Sequence, residues 1–253
     1  MKTIFKKYFI KSTLDIRPTT LTIQIKDFRL RGYRILHLSD LHVNTKTTTQ
    51  EIQALIAQLN ALTCNIVVIT GDIIDTKVSK IETKLLLFKE LKHTTYYISG
   101  NHDLVYGYKE LNTLLQKCNI TLLDNRYEFL KYKDEEIILA GLSDRFSKFF
   151  GMRRHEKELV NSIKDINLPK IFIAHQPKDY KYALKSNSGL FLCGHTHGGQ
   201  IYPFHYLVRL MQPFLHGLHT RKSLTIYVSR GIGAWGIKYR FLAHNEMTLL
   251  ELE

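Results

Sequence analysis

Cysteine is scarce in this chain of 253 residues: Cys64, Cys118 and Cys193 are neither pairable in number nor spaced as metal ligands, so they fit small core residues in a reducing compartment. Long apolar runs are missing too. None approaches the ~18 residues that cross a bilayer, which argues against a transmembrane helix. Residues 1–13 interleave Lys2, Lys6, Lys7 and Lys11 with Ile4, Phe5, Tyr8, Phe9 and Ile10, whereas a secretory signal needs about 7 uninterrupted apolar residues after its charges. They do not read as a signal peptide. No internal repeat, low-complexity tract or Pro/Gly linker divides the chain, and no helix-turn-helix or RNA-binding signature is present. Acid is the last shortage: 23 Asp and Glu stand against 36 Lys and Arg, a formal net charge of +13 with the histidines neutral. Such an excess points to anionic partners, with nucleic acid and membrane surfaces first among them.

What remains is a globular composition, 44% hydrophobic and 23% charged, at a length that suits one domain. The expected organisation is a basic, aromatic N-terminal tail over residues 1–20 and a single domain over 21–253. Wound as a helix, the tail places Ile4, Phe5, Tyr8 and Phe9 on one arc, as in a segment lying on anionic lipid; a frayed, solvated tail is the plain alternative. Leu21 to Ile25 alternates with period two and predicts a half-buried strand. Short apolar runs at Arg34 to Leu38, Ile66 to Thr70, Tyr96 to Ser99, Lys170 to Ala174 and Gly189 to Cys193 predict buried strands, and strands return at Leu224 to Ser229 and Met247 to Leu252. Ile52, Leu55, Ile56, Leu59 and Leu62 recur at helical spacing behind a Thr48/Glu51 capping box, and Ser79 with Glu82 repeats that device ahead of Leu85, Leu86 and Leu91. A third helical pattern, Leu111, Leu114, Leu115 and Cys118, follows Gly107. Alternation of strand and helix makes the class α/β.

Each buried run exits into a polar signature. Asp40 and His42 follow the first, Gly71 and Asp72 the second, and Gly100, Asn101, His102 and Asp103 the third, while His175 closes the fourth and Gly194, His195, Thr196 and His197 close the fifth. Ligands of open α/β sheets bind outside the carboxyl ends of strands, so five scattered sites converge on one crevice. Leaving His102 aside, two aspartates, an asparagine and four imidazoles form a hard-oxygen and borderline-nitrogen set without thiolate, suited to Mn, Fe or Zn. In an extended segment residues i and i+2 point the same way, so Asp40 with His42, and His195 with His197, are expected to share a centre, with the preceding glycines turning the chain. Seven ligands exceed one tetrahedral ion and suit two metals sharing an aspartate. Such a pair clamps both oxygens of an in-line displacement at phosphorus and lowers the pKa of a bound water toward ~7. A lone histidine at a strand end is usually structural, and His37, His93, His155, His205, His216, His219 and His244 keep that reading.

Asp40-Leu-His42, Gly71-Asp72, Gly100-Asn101-His102-Asp103, His175 and Gly194-His195-Thr196-His197 resemble, in order, the five blocks of the calcineurin-like metallophosphoesterase family, over about residues 35 to 200. The extended Gly194 to Gln200 and the later Tyr227-Val-Ser-Arg-Gly-Ile-Gly233 look like its small bacterial phosphodiesterases. The resemblance implies a four-layer αββα sandwich and two divalent ions, manganese first and iron or zinc accepted. It places Asp40, His42, Asp72 and His197 on one ion and Asp72, Asn101, His175 and His195 on the other, with Asp72 bridging and a water between them as nucleophile. His102 is expected over the leaving oxygen as general acid or electrostatic stabiliser, and Asp103 is expected to orient its ring. A complete ligand set argues for catalysis over the non-enzyme alternative, a scaffold with a vestigial metal site.

The surroundings choose the substrate. Tyr202, Phe204, Leu207, Leu210 and Met211 follow Gln200 with Arg209 among them, and Arg145, Lys148, Arg153 and Arg154 are threaded with Phe146, Phe149 and Phe150. Such segments suit a phosphate-bearing lipid, although core packing and solvated, snorkelling side chains are the bland readings. Arg145, Arg153, Arg154, Phe204, Arg209 and Arg230 are therefore candidate substrate contacts. The leading expectation is a phosphodiester or pyrophosphate hydrolase acting on a lipid-linked substrate, with cleavage of UDP-2,3-diacylglucosamine to UMP and the lipid monophosphate first. Its expected place is cytoplasmic, peripheral on the anionic inner membrane face, with no obligate protein partner. A metal-dependent nuclease is the runner-up, alongside a cyclic-nucleotide or generic phosphodiesterase.

Overall fold

Along the run Arg34–Leu38, Ile35 packs into one core and Leu36 into another, and the same split recurs at Ile66/Val67, Ile171/Phe172 and Leu190/Phe191. Side chains of a strand alternate between faces, so these strands belong to sheets covered on both sides. The computed structural model describes residues 9–253, except for the side chains of Phe9 and Phe28. In chain order its elements are β1 (Phe9–Lys11), β2 (Thr19–Ile23), β3 (Arg34–Leu38), α1 (Thr49–Ala61), β4 (Ile66–Ile69), α2 (Glu82–Leu85) and β5 (Thr95–Tyr97). Then come α3 (Asn101–Lys117), β6 (Ile120–Leu122), β7 (Arg126–Tyr132), β8 (Glu135–Leu142), α4 (Glu156–Ile163), β9 (Lys170–Ala174) and α5 (Tyr180–Lys185). The chain ends with β10 (Leu190–Cys193), α6 (His205–Met211), β11 (Gly217–Arg221), β12 (Leu224–Val228), β13 (Tyr239–Phe241) and β14 (Thr248–Leu252).

Two six-stranded sheets, ordered β2-β14-β3-β4-β5-β6 and β11-β12-β10-β9-β8-β7, stack face to face around Ile35, Val68, Leu139, Ile173 and Leu192. The outer face of the first packs on Leu55 and Leu59 of α1 and Leu111 and Leu115 of α3, and that of the second on Leu159 and Ile163 of α4. These are the four layers of an αββα sandwich. Strands β3, β4, β5 and β6 run parallel to one another, as do β8, β9, β10 and β12, so the segments that follow them emerge at common sheet edges.

Local signals account for much of this. The Thr48/Glu51 box closes both ways, with Glu51 N–H donating to Thr48 Oγ1 at 3.1 Å and Thr48 N–H to Glu51 Oε2 at 2.8 Å. The box expected at Ser79/Glu82 does not form: Ser79 sits inside a 3₁₀ turn, Val78–Lys80, and the short α2 starts after Ile81 without a side-chain cap. Helix α3 begins at Asn101, before the pattern that followed Gly107, and kinks at Gly107 (φ 145°). The early strand runs Thr19–Ile23 instead of Leu21 to Ile25. The tail expected over residues 1–20 is also corrected. From Phe9 the chain pairs antiparallel with β13, Ser12 Oγ donates to Ile232 O at 3.0 Å and Leu14 is buried, because pairing satisfies backbone groups that a frayed tail would leave to water. Phe9 is thus a strand residue, and Ile4, Phe5 and Tyr8 of the expected lipid-binding arc lie outside the described residues.

Candidate metal centre

Asp40 and His42 leave β3, Asp72 leaves β4, Asn101 opens α3 behind β5, His175 leaves β9, and His195 and His197 leave β10. Both sheets thus deliver side chains to one point. Asp40, His42 and His197 form one cluster of potential ligand atoms, and Asp72, His175 and His195 another. His42 Nε2 lies 3.0 Å from His197 Nε2, and His197 Nε2 lies 3.4 Å from Asp40 Oδ1. In the second cluster His195 Nδ1 is 3.1 Å and Asn101 Oδ1 3.2 Å from His175 Nε2. Asp72 Oδ2 stands between them, 3.7 Å from His42 Nε2 and 3.3 Å from His175 Nε2, the position a bridging carboxylate needs.

The convergence is not that of an extended chain. Asp40 (φ 53°), His42 (48°), Asp72 (54°), His195 (71°) and His197 (51°) all occupy the left-handed region, which corrects the expected strand-like i, i+2 geometry. For non-glycine residues that conformation costs roughly 1–2 kcal/mol each, strain that the surrounding packing must hold. The glycines act mainly by giving space. A Cβ at Gly100 would collide with the Asp72 carboxylate, and one at Gly194 with Ser39 and Asp40, whereas Gly71 supplies the positive φ (92°) expected of it.

Burial sets the electrostatics. It presses the imidazoles of His42 to about 4 and His195 to about 3 and keeps them neutral, the state a metal requires. It also lifts Asp40 to about 6. At Asp72 burial acts upward, but the charge and the hydrogen bond of His175 prevail and hold the carboxyl below its usual range. Among the facing atoms of the cluster, Asp40 Oδ1 is buried without a hydrogen-bond partner. Inward-facing lone pairs and an orphaned carboxylate oxygen fit a pair of divalent cations, which would satisfy them.

His102 lines the same cleft with its ring 4.6 Å from that of His42, and its Nδ1 makes a 2.8 Å hydrogen bond to Asp75 Oδ1. Burial would lower this imidazole, but that hydrogen bond and the charges of Asp72 and Asp75 outweigh it and raise its pKa. Asp75 therefore orients His102, and the role expected of Asp103 is corrected. Asp103 accepts from the N–H groups of Asp72 (2.8 Å), Gly100 (2.9 Å) and Ile74 (3.1 Å) and from Tyr97 OH (3.1 Å), stitching two ligand loops together. The one signal for Asp75 in the sequence is a second acid three residues after Asp72. Arg240 had none. It is fully buried behind the site and donates to the carbonyls of His197, Arg230, Gly231 and Gly233, with Nη2 3.0 Å from His197 Nδ1.

A cleft of about 290 Å³ opens over Asp72, Asn101, His102, His195 and His197, walled by Phe204, Val208, Met211 and Trp235. Of the six candidate substrate contacts, Phe204 reaches it. Arg230 turns to Glu246 (3.4 Å) and His216 (3.1 Å) instead, and Arg153 is an exposed partner of Glu158. Arg154 is buried against Asp179 at 2.5 Å and Ser143 O at 2.8 Å, a structural ion pair. Arg145, also bonded to Asp179, and Arg209 line a separate hollow beyond α6. Packing, not composition, removes these five from the cleft.

The family model for calcineurin-like phosphoesterases matches residues 33–199. The chain is 36% identical over 243 residues to an uncharacterized metallophosphoesterase of Helicobacter pylori, covering 94% of this chain and 63% of that protein. It is 32% identical over 238 residues to a transmembrane protein with metallophosphoesterase domain of Danio rerio, covering 88% and 54% respectively. The chain thus spans about three fifths of the length of the curated relatives it matches. Among solved structures, the NAD nucleotidase of Haemophilus influenzae superposes with a TM-score of 0.54 at 15% identity, over 79% of this chain and 50% of that one, a likeness of fold.

Proposed function

The chain belongs to the calcineurin-like phosphoesterase family, and from that premise we propose that it is a two-metal hydrolase of a phosphodiester or pyrophosphate carried by a lipid. Asp40, His42, Asp72 and His197 would hold one divalent ion and Asp72, Asn101, His175 and His195 the other. Bound there, the pair supplies Lewis-acid polarisation of the phosphoryl group and of water, with manganese the first ion to test. His102, its Nδ1 engaged by Asp75, leaves Nε2 available to hand a proton to the leaving oxygen. Gln200 Nε2 donates to Trp235 O at 3.0 Å and its Oε1 accepts from Trp235 N–H at 3.2 Å, so the apolar wall is tied to the ligand loop.

The lipid part of the reading rests on one observation. A second hollow of about 270 Å³, walled by Ile201, Phe204, Trp235 and Ile237, adjoins the metal cleft and shares Phe204 and Trp235 with it. A hydrophobic groove beside a phosphate site suits an acyl chain. UDP-2,3-diacylglucosamine, with a pyrophosphate and acyl chains on a sugar, is the first candidate, and a peripheral place on the cytoplasmic face of a membrane follows from it. The transmembrane relative named above supports phosphoester chemistry beside a bilayer. Nuclease action is the competing reading, favoured by the +13 charge. The test is turnover of that nucleotide lipid, an aryl phosphodiester and single-stranded DNA by Mn²⁺-loaded protein, with Asp72→Ala as control. The nucleotide lipid is expected to turn over; cleavage of DNA alone reverses the substrate reading, and rates equal to those of Asp72→Ala sink the enzyme reading in favour of a scaffold.

A further inference from the structure

Helix α6 buries none of its residues, although its sequence is His-Tyr-Leu-Val-Arg-Leu-Met. Leu210 is 84% exposed and Met211 66%. Other exposed apolar side chains gather on segments that leave the same sheet edges. Phe149 (83%) follows β8, Ile237 (61%) follows β12, and Val105 lies in the first turns of α3 after β5. The polar metal cleft therefore opens in the middle of an apolar end face. Exposed apolar side chains gathered round a site in this way mark a place that something covers.

The charge beside it says what. Beside α6 lies a basin of about 520 Å³ lined by Arg145, Lys178, Lys181, Lys185 and Arg209, and no carboxylate lines it. Asp179 engages Arg145, and Lys185 Nζ sits 5.9 Å over the Tyr182 ring, which leaves the basin strongly positive. Leu210 and Met211 form its other wall. Exposed apolar side chains on one helix, beside cations from it (Arg209) and from the neighbouring α5, suit a surface lying in the headgroup region, with Tyr and Trp at its level. Tyr206 and Trp235 are both exposed on this end.

We infer that this end face docks on an anionic phospholipid bilayer, with α6 seated in the interface and Lys178, Lys181, Lys185 and Arg209 receiving lipid phosphates. The inference deepens the lipid-substrate reading on which it rests, by naming the surface that presents the cleft to the membrane. The basin and the cleft adjoin at Met211 and Gln212, but the basin's cations do not line the cleft, so headgroup and substrate phosphates have separate partners.

The test is co-sedimentation of metal-loaded, full-length protein with phosphatidylcholine vesicles that contain or lack phosphatidylglycerol, without substrate, at rising salt. Binding is expected only with phosphatidylglycerol and is expected to fall with salt. Lys181→Glu/Lys185→Glu should weaken it at least about tenfold, and Leu210→Asp should weaken it as well. Thermal melts and aryl phosphodiester turnover check that both variants are folded. Equal binding to both vesicles, undiminished binding by the lysine variant, or no binding overturns the inference. So does capture of single-stranded DNA with the same lysine dependence and no capture of vesicles. Vesicle binding without turnover of the nucleotide lipid keeps the docking face and removes that substrate, so the two failures are distinguishable.

Discussion

The metal cradle and helix α6 are neighbours that break the usual partition of residues in opposite senses. In the cradle, carboxylates and imidazoles are buried, down to 0% exposure at Asp40 and His175, whereas along α6 leucines and a methionine face water. Burying an unpaired carboxylate oxygen is unfavourable unless a cation meets it, and exposing a contiguous apolar ridge is unfavourable unless another phase covers it. Neither region contributes to the fold what its composition could. The comparison separates residues kept for stability, such as the Leu55 and Ile173 of the cores, from residues whose placement makes sense only with a ligand present.

The comparison is most sharply tested at the cradle. Asp72→Ala is expected to lower phosphodiester turnover by at least on the order of 1000-fold, read in a steady-state assay with metal content measured alongside. Chelation should lower the thermal midpoint by roughly 10 °C, and Asp40→Asn should narrow that difference by removing the orphaned carboxylate. An unchanged midpoint on chelation would mean that the cradle's polar atoms are satisfied without ions. Next in size, Asp75→Asn should cut turnover about 10- to 100-fold while metal content holds, because it frees the His102 ring. If Asp103→Asn does this and Asp75→Asn does not, the orienting group has been misassigned.

Stability distinguishes the ridge from the core. Leu55→Ala is expected to cost about 2–5 kcal/mol in urea unfolding and Leu210→Ala less than about 0.5 kcal/mol. A comparable cost at both positions would make α6 part of the core after all. His37 offers a pH test outside the cradle. It is fully buried, 2.9 Å from Thr70 Oγ1, and burial holds its pKa at about 3. The unfolded chain takes up a proton near pH 6.5 that the native state refuses, so stability is full above that pH and falls as pH drops from about 6.5 toward 3. The share of the slope from His37 approaches about 1.4 kcal/mol per unit, and His37→Gln should remove that share. The smallest effect is local: Thr48→Ala should cost about 1 kcal/mol by opening the α1 cap.

Much of the molecule was legible in one dimension. The buried runs announce their strands because period-two alternation of apolar side chains on both faces leaves almost no polar position, and all seven proposed ligands sit at or just beyond the ends of such runs. What stayed hidden depends on contacts distant in sequence. Asp75 and Asp103 are both acids near His102 along the chain, and only the path of two loops decides which carboxylate meets the ring and which takes four backbone and phenol donors. Arg154 and Arg240 look like surface cations until packing closes over them.

By itself the sequence determined the α/β class, the order of ligand-bearing exits and the donor chemistry of the cradle, because these follow from side-chain periodicity and functional groups that each short segment carries alone. The tertiary structure decided which ligands share a centre, that the chain reaches them through left-handed backbone, which arginines are structural, and that the apolar helix lines both a metal cleft and a basic basin. Those are properties of distance and direction between segments far apart in the chain, and a linear pattern contains neither until the two sheets stack and bring their edges together.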